Sequence, residues 1–271
     1  MQNDNLTVVK NFLWLLCIIV SLGALIVGVF FAMFHRYSGG EETSLAVDIS
    51  HSDSSNLVQI GTGNGIARGV LNTLEETEDA GEEYLDKITF LIDSTFLNLR
   101  DLQLVNTSKV WATTTGSLPI GSASECQIVY SDGSVITPAN AAMLSKPEIL
   151  MIGIGMDGLG KVDEEEFIAQ YDTLIANIRA ASPDTKIVCI SLTSVIPGYS
   201  MNDGLTVTSV SDGNDWIQLV CRDTGAYFLN VSEEINESVQ LLSRFAASNG
   251  KSLNRLGIQE LLEYIRIHAV P

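Results

Sequence analysis

The chain has 271 residues, 46% of them hydrophobic, and a formal net charge of −18. It is long enough for one substantial core, and its acidity excludes nucleic acid as a natural partner, because phosphate backbones are repelled by such a surface. Its four cysteines show no CxxC spacing, so neither a zinc site nor a disulfide framework is expected.

Residues 1–11 form a short polar tail. Between Phe12 and Phe34 no residue is charged and only Ser21 carries a hydroxyl. This run of 23 residues makes about 34 Å of helix at the α-helical rise, enough to cross a bilayer. It ends in the bulky Phe30, Phe31 and Phe34 before His35 and Arg36, where a cleaved signal peptide would carry small residues, so residues 12–34 read as a retained transmembrane anchor. The membrane is therefore an expected partner. The short tail and the acidic Glu41 and Glu42 beyond the span favour a single-pass topology with the C-terminal domain extracytoplasmic.

Residues 37–80, rich in Ser, Gly, Asp and Glu without sustained periodicity, read as a flexible stalk. They contain Gly61-Thr62-Gly63-Asn64-Gly65, but no preceding strand and no βαβ unit surround it, so it reads as linker and no dinucleotide cofactor is expected.

From residue 84 to residue 271 apolar and amphipathic runs alternate, as an α/β fold requires. The runs at 88–92, 109–113, 149–152, 186–192 and 227–230 are short, apolar and bounded by turn residues, which predicts five buried parallel strands with 88–92 central. Cys189 falls inside one of them and reads as a small core hydrophobe. The clearest helix is 164–181, where Phe167, Ile168, Tyr171, Leu174, Ile175 and Ile178 recur at helical spacing behind an Asp163-x-x-Glu166 capping box, and Pro183 stops it. A last helix over 255–268 places Ile258, Leu261, Leu262 and Ile265 on one face with Asn254 as its cap. The expected architecture is a three-layer α/β/α domain over residues 84–271.

The order of sequence blocks resembles the SGNH/GDSL hydrolases, flavodoxin-like serine esterases, lipases and deacetylases. A strand followed by Gly-Asp-Ser appears as Ile92-Asp93-Ser94, which puts Ser94 at the nucleophile position. The resemblance places Gly116, in Thr113-Thr114-Thr115-Gly116-Ser117, at an oxyanion-hole position. The family's Gly-x-Asn-Asp block reads Gly155-Met156-Asp157-Gly158, so Asp157 stands at the position of the oxyanion asparagine. The family's terminal Asp-x-x-His becomes Asn249 and Ser252 within the frame Gly250, Leu253, Asn254 and Gly257.

These departures remove the chemistry that the resemblance implies. Without an imidazole at position 252 nothing on that loop accepts the Ser94 proton, and losing a triad member costs on the order of 10⁴–10⁶ in kcat. A carboxylate at 157 would repel the developing oxyanion that an amide donor stabilises by about 3 kcal/mol. The chain holds three histidines, His35, His51 and His268. His268 lies far along the last helix, where it favours the negative end of the helix dipole, and His51 lies in the stalk. The plainer reading of Ser94 is a cap on the helix after its strand. That of Asp157 is a loop carboxylate bonded to nearby amides. Asp93 and Asp157 lack a third ligand at metal-binding spacing, so no metal is expected.

The expected function is that of a membrane-anchored, extracytoplasmic SGNH-like domain without hydrolytic activity, whose cleft binds a carbohydrate or acyl-ester component of the cell envelope. Two alternatives stand beside it: an active esterase or deacetylase using Ser94 with an unrecognised base, and a structural or protein-interaction module.

Overall fold

The computed structural model describes residues 69–271. The expected tail, the span at 12–34, the Gly61–Gly65 run and most of the stalk lie outside the described residues, as do His35 and His51.

A strand covered by helices on both sides needs no polar face, and the central strands obey this rule. Every residue of Ile88–Ile92 (β2) and Ile149–Gly153 (β6) is buried, as are all but the first of Lys186–Ile190 (β7). With Asn72–Thr73 (β1), Val110–Trp111 (β3) and Tyr227–Leu229 (β8), they form a six-stranded sheet in the order β1-β8-β7-β6-β2-β3, each neighbouring pair parallel. Two short antiparallel hairpins, Ile128–Val129 with Val135–Ile136 (β4, β5) and Asn236–Glu237 with Gln240–Leu241 (β9, β10), stand apart from it.

Successive strand residues point to opposite sides of a sheet, and the two cores divide accordingly. Leu91, Leu150, Ile152, Ile187 and Cys189 face Pro138–Ser145 (α3), Glu164–Ala181 (α4) and Val207–Thr224 (α5). Phe90, Ile92, Met151, Val188 and Ile190 face Glu82–Leu85 (α1), Asn98–Asp101 (α2), Ser232–Ile235 (α6) and Arg255–Arg266 (α7). The result is the expected three-layer α/β/α arrangement.

Helix α4 has the expected bounds. Asp163 Oδ1 accepts the Glu166 amide at 2.9 Å, and Phe167, Tyr171, Leu174, Ile175 and Ile178 are buried, each such side chain contributing about 1.5–3 kcal/mol on burial. Helix α7 is capped by Asn254, whose Oδ1 accepts the Gly257 amide at 3.0 Å; it ends at Arg266, short of the expected residue 268.

Three expectations require correction. The sheet has six strands, not five, because Asn72 and Thr73 pair with Tyr227 and Phe228, and Leu74 behind them is buried. The ordered domain thus begins inside the segment assigned to the stalk. The 88–92 strand is next to the edge strand β3, while β7 and β6 are central; full burial of β2 reflects its two helix layers rather than a central place. Helix α5 was not anticipated: a Thr206–Ser209 capping box starts it, and Gly213 lets it press onto the sheet-end residues, where an added Cβ would lie 2.8 Å from Leu192 Cδ1.

After β2 the chain moves outward to β3 and later returns on the other side of β2 to form β6. The carboxyl ends of β2 and β6 therefore flank a topological switch point, where doubly wound sheets open a crevice.

Candidate active site

Asp93 joins the two loops of that crevice. Its amide donates to Gly153 O at 3.0 Å. Its side chain, 1% exposed, accepts from the amides of Thr95 at 2.9 Å, Gly155 at 3.1 Å and Asp157 at 3.2 Å. Burial, reinforced by the nearby Asp157 carboxylate, pushes Asp93 up to about 6 against the pull of those amides.

Ser94, the next residue, is half-buried. Its hydroxyl donates to Asp157 Oδ1 at 2.6 Å, and its amide to Oδ2 at 3.2 Å. The cap reading of Ser94 is thereby corrected: α2 begins after Leu97 and has no side-chain cap, and the serine turns to the neighbouring loop instead.

Asp157 is the hub of the site. Oδ2 also accepts the Leu118 amide at 3.1 Å, and Oδ1 the Lys251 ammonium at 3.0 Å. Burial alone would raise its pKa, but the Ser94 hydroxyl, the Lys251 charge and the Leu118 amide outweigh it and hold the carboxyl below its ordinary range. Two backbone amides, a hydroxyl and an ammonium thus converge on one anionic side chain.

Gly116 has a φ of +78°, which a glycine adopts without strain, and a Cβ there would lie 2.5 Å from Leu97 Cδ2. Its amide closes a turn onto Thr113 O at 3.1 Å. The amide that reaches Asp157 comes from Leu118, two residues on.

Asn249 and Ser252 do come to Ser94. Asn249 Oδ1 accepts the amides of Lys251 and Ser252 at 3.2 and 3.0 Å, and its Nδ2 donates to Ser252 Oγ at 2.9 Å. Ser252 Oγ in turn donates to the Ser94 carbonyl at 2.9 Å, while the Leu253 amide donates to Thr95 O at 2.9 Å. The loop is stapled along the backbone of the serine. None of its contacts offers a base to the hydroxyl.

Sequence reasoning missed Lys251, which points from the same loop to Asp157 and lies 3.8 Å from Asp203 Oδ2. Asp203 also accepts the Tyr199 hydroxyl, and burial together with the Asp203 and Asp157 carboxylates raises the Tyr199 pKa. The one sequence cue was a cation inside the block where the family keeps its base. His268 is buried, its Nδ1 lies 2.9 Å from Tyr264 O, and its ring stacks on Tyr264 at 3.9 Å; these contacts fix it beyond the end of α7.

No family model matches the chain, and no curated protein matches it. Solved structures do. A Streptococcus pneumonia protein provisionally named a platelet activating factor aligns at a TM-score of 0.50 and 17% identity, covering 70% of this chain and 90% of that one. A GDSL-like lipase from Bacteroides thetaiotaomicron aligns at 0.42 and 12%, covering 68% and 88%. A carbohydrate esterase of family 3 from Talaromyces cellulolyticus aligns at 0.43 and 11%, covering 65% and 92%. At these identities the likeness is one of fold, the three-layer α/β/α arrangement shared with the pneumococcal protein.

Proposed function

We propose that this SGNH-fold domain stands outside the cytoplasm on a membrane anchor formed by residues 12–34, that it does not hydrolyse esters at neutral pH, and that its cleft binds a carbohydrate or acyl-ester component of the cell envelope. The observation that carries the silent site is the position of Asp157. Its carboxylate already accepts the hydroxyl and amide of Ser94 and the amide of Leu118. Amides that could stabilise a developing oxyanion are therefore occupied by an anion. The Ser94 proton faces a carboxylate whose basicity is depressed, and among the described residues no imidazole approaches. The anchor rests on the uncharged run between Phe12 and Phe34 and the length a bilayer demands. The ligand class rests on the place of Ser94 and Asp157 at the topological switch point, where doubly wound sheets take their ligands, and on the resemblance of the sequence blocks to the SGNH/GDSL hydrolases.

An active esterase is the second reading, favoured by the 2.6 Å contact between the Ser94 hydroxyl and a carboxylate that could take its proton. Hydrolysis of p-nitrophenyl acetate at pH 7 by the wild type and by Ser94→Ala separates the two. Equal rates are expected, and wild-type turnover that the substitution abolishes would establish the second reading. Titration with acetylated oligosaccharides tests the ligand class; absence of binding would remove it.

A further inference from the structure

The Ser94 hydroxyl and the Lys251 ammonium meet the same atom, Asp157 Oδ1, at 2.6 and 3.0 Å. Only one carboxylate oxygen separates a serine from an amine. Lys251 is held there by its backbone: Asn249 Oδ1 accepts its amide, and Gly250, at a φ of +73°, lies against Ile196, where a Cβ would come within 3.0 Å. The lysine side chain is 18% exposed. A second carboxylate, Asp203, stands 3.8 Å from the ammonium on the other side and is itself bonded to the Tyr199 hydroxyl.

We propose that Ser94 and Lys251 form a latent serine–lysine pair, an ester-cleaving arrangement whose amine is tied up in ion pairs with Asp157 and Asp203. The proposal rests on the reading that the site is silent at neutral pH and supplies a cause for that silence beyond the missing histidine. An ammonium has no lone pair with which to accept a proton, and a serine activated by lysine needs the neutral amine. Among the described residues, the charged and titratable groups facing the amine are Asp157 and Asp203 in contact, Tyr199 through Asp203, and Asp93 behind the Asp157 backbone. Asp157 also occupies the Ser94 and Leu118 amides, so one carboxylate blocks both proton acceptor and oxyanion donors. An amide at position 157 would leave the shape, remove the charge and offer a donor to the crevice.

The released reaction balances with an ester and water alone. Neutral Lys251 Nζ takes the Ser94 proton as Oγ bonds to the acyl carbon. The ester C–O bond breaks, and the leaving alcohol takes the proton back from the ammonium. Water then gives a proton to Nζ, its oxygen attacks the acyl carbon, Oγ leaves and is reprotonated by Lys251, and the free acid departs.

The test is ester hydrolysis by the full-length Asp157→Asn/Asp203→Asn variant between pH 6 and pH 10, with folding checked by circular dichroism. Turnover at least about a hundredfold above wild type, the low end for general-base assistance, is expected to rise with pH. It should vanish when Ser94→Ala or Lys251→Arg is added, since a guanidinium keeps its charge throughout that range. A folded variant no faster than wild type, or one whose activity survives Lys251→Arg, overturns the proposal. Should the double variant fail to fold, Asp157→Asn alone decides, because it removes the carboxylate that both side chains meet and that occupies the Ser94 and Leu118 amides. At about pH 10, where an ordinary lysine is partly neutral, it should hydrolyse the ester faster than Asp157→Asn/Lys251→Arg and Asp157→Asn/Ser94→Ala, and equal rates overturn the proposal. The silent-site reading fails independently, through Ser94-dependent turnover at pH 7.

Discussion

Replacing Lys251 with methionine leaves the Asp157 carboxylate, 6% exposed, without its ammonium. Stripping one partner from a fully buried ion pair costs about 3–5 kcal/mol. Here the lysine retains 18% exposure, and Asp157 keeps the Ser94 hydroxyl and the Ser94 and Leu118 amides. The expected cost of Lys251→Met is therefore lower, about 2 kcal/mol. Asp157→Asn should cost a similar amount, because an amide offers one acceptor oxygen where the carboxylate now serves two sets of donors. Made together, the changes should cost about 1–2 kcal/mol less than the two single costs added, since the second no longer breaks the same ion pair. Each single change should lower Tm by about 4–8 °C in a domain of this size. Thermal and urea unfolding of all four proteins in detergent at pH 7 completes the cycle. Additive effects, or a Lys251→Met variant as stable as wild type, would refute the ion pair as the fastening of the site.

The two aspartates should also write opposite signatures into the pH dependence of stability. Asp93 is raised to about 6 in the folded state from 3.8, so its contribution is unfavourable at pH 7 and is relieved, by up to about 3 kcal/mol, as pH falls through 6 towards 4. Asp157 is held below its ordinary value, so its stabilisation is complete above the ordinary carboxylate range and is lost as pH falls through its folded value. Unfolding between pH 7 and pH 5 should show wild-type stability gaining relative to Asp93→Asn; parallel curves would contradict the burial of that charge. Restoring Asp157→Asn, Asn249→Asp and Ser252→His together should raise p-nitrophenyl acetate hydrolysis by at least about a hundredfold, with single changes doing little, and a folded triple variant without activity would show that the 249–252 loop does not face the serine productively. Removing residues 1–36 should transfer the protein from membrane to soluble fractions, and continued sedimentation with membranes would contradict the anchor.

The fold was legible where burial is uniform or periodic. Strands β2 and β6 announce themselves because both faces are covered, leaving unbroken apolar runs. Helix α4 does so because Phe167, Tyr171, Leu174, Ile175 and Ile178 keep one stripe behind the Asp163 cap. Strand β1 was hidden: Asn72 and Thr73 owe their place to pairing with Tyr227 and Phe228, and a two-residue edge strand has no periodicity to display. Helix α5 was hidden by Ser, Thr, Asp and the Gly213 that its close packing requires. In the site, the Gly250, Leu253, Asn254 and Gly257 frame indicated that positions 249 and 252 would approach Ser94, and the hydrogen bonds along that segment place them there. The Leu118 amide carries no side-chain signature. The role of Lys251 depends on a long side chain reaching a loop 94 residues earlier, a relation that only the folded chain reveals.

The central claim is that Ser94 is not a nucleophile in the native site at neutral pH, and labelling with a fluorophosphonate tests it most directly. Such reagents react with a serine hydroxyl that gives up its proton to a base. Mass analysis of the wild-type peptide containing Ser94 after incubation at pH 7 should show the unmodified serine, whereas the variant carrying Asp157→Asn, Asn249→Asp and Ser252→His should show an adduct. Stoichiometric labelling of Ser94 in the wild type would contradict the account, whatever the rate with simple esters.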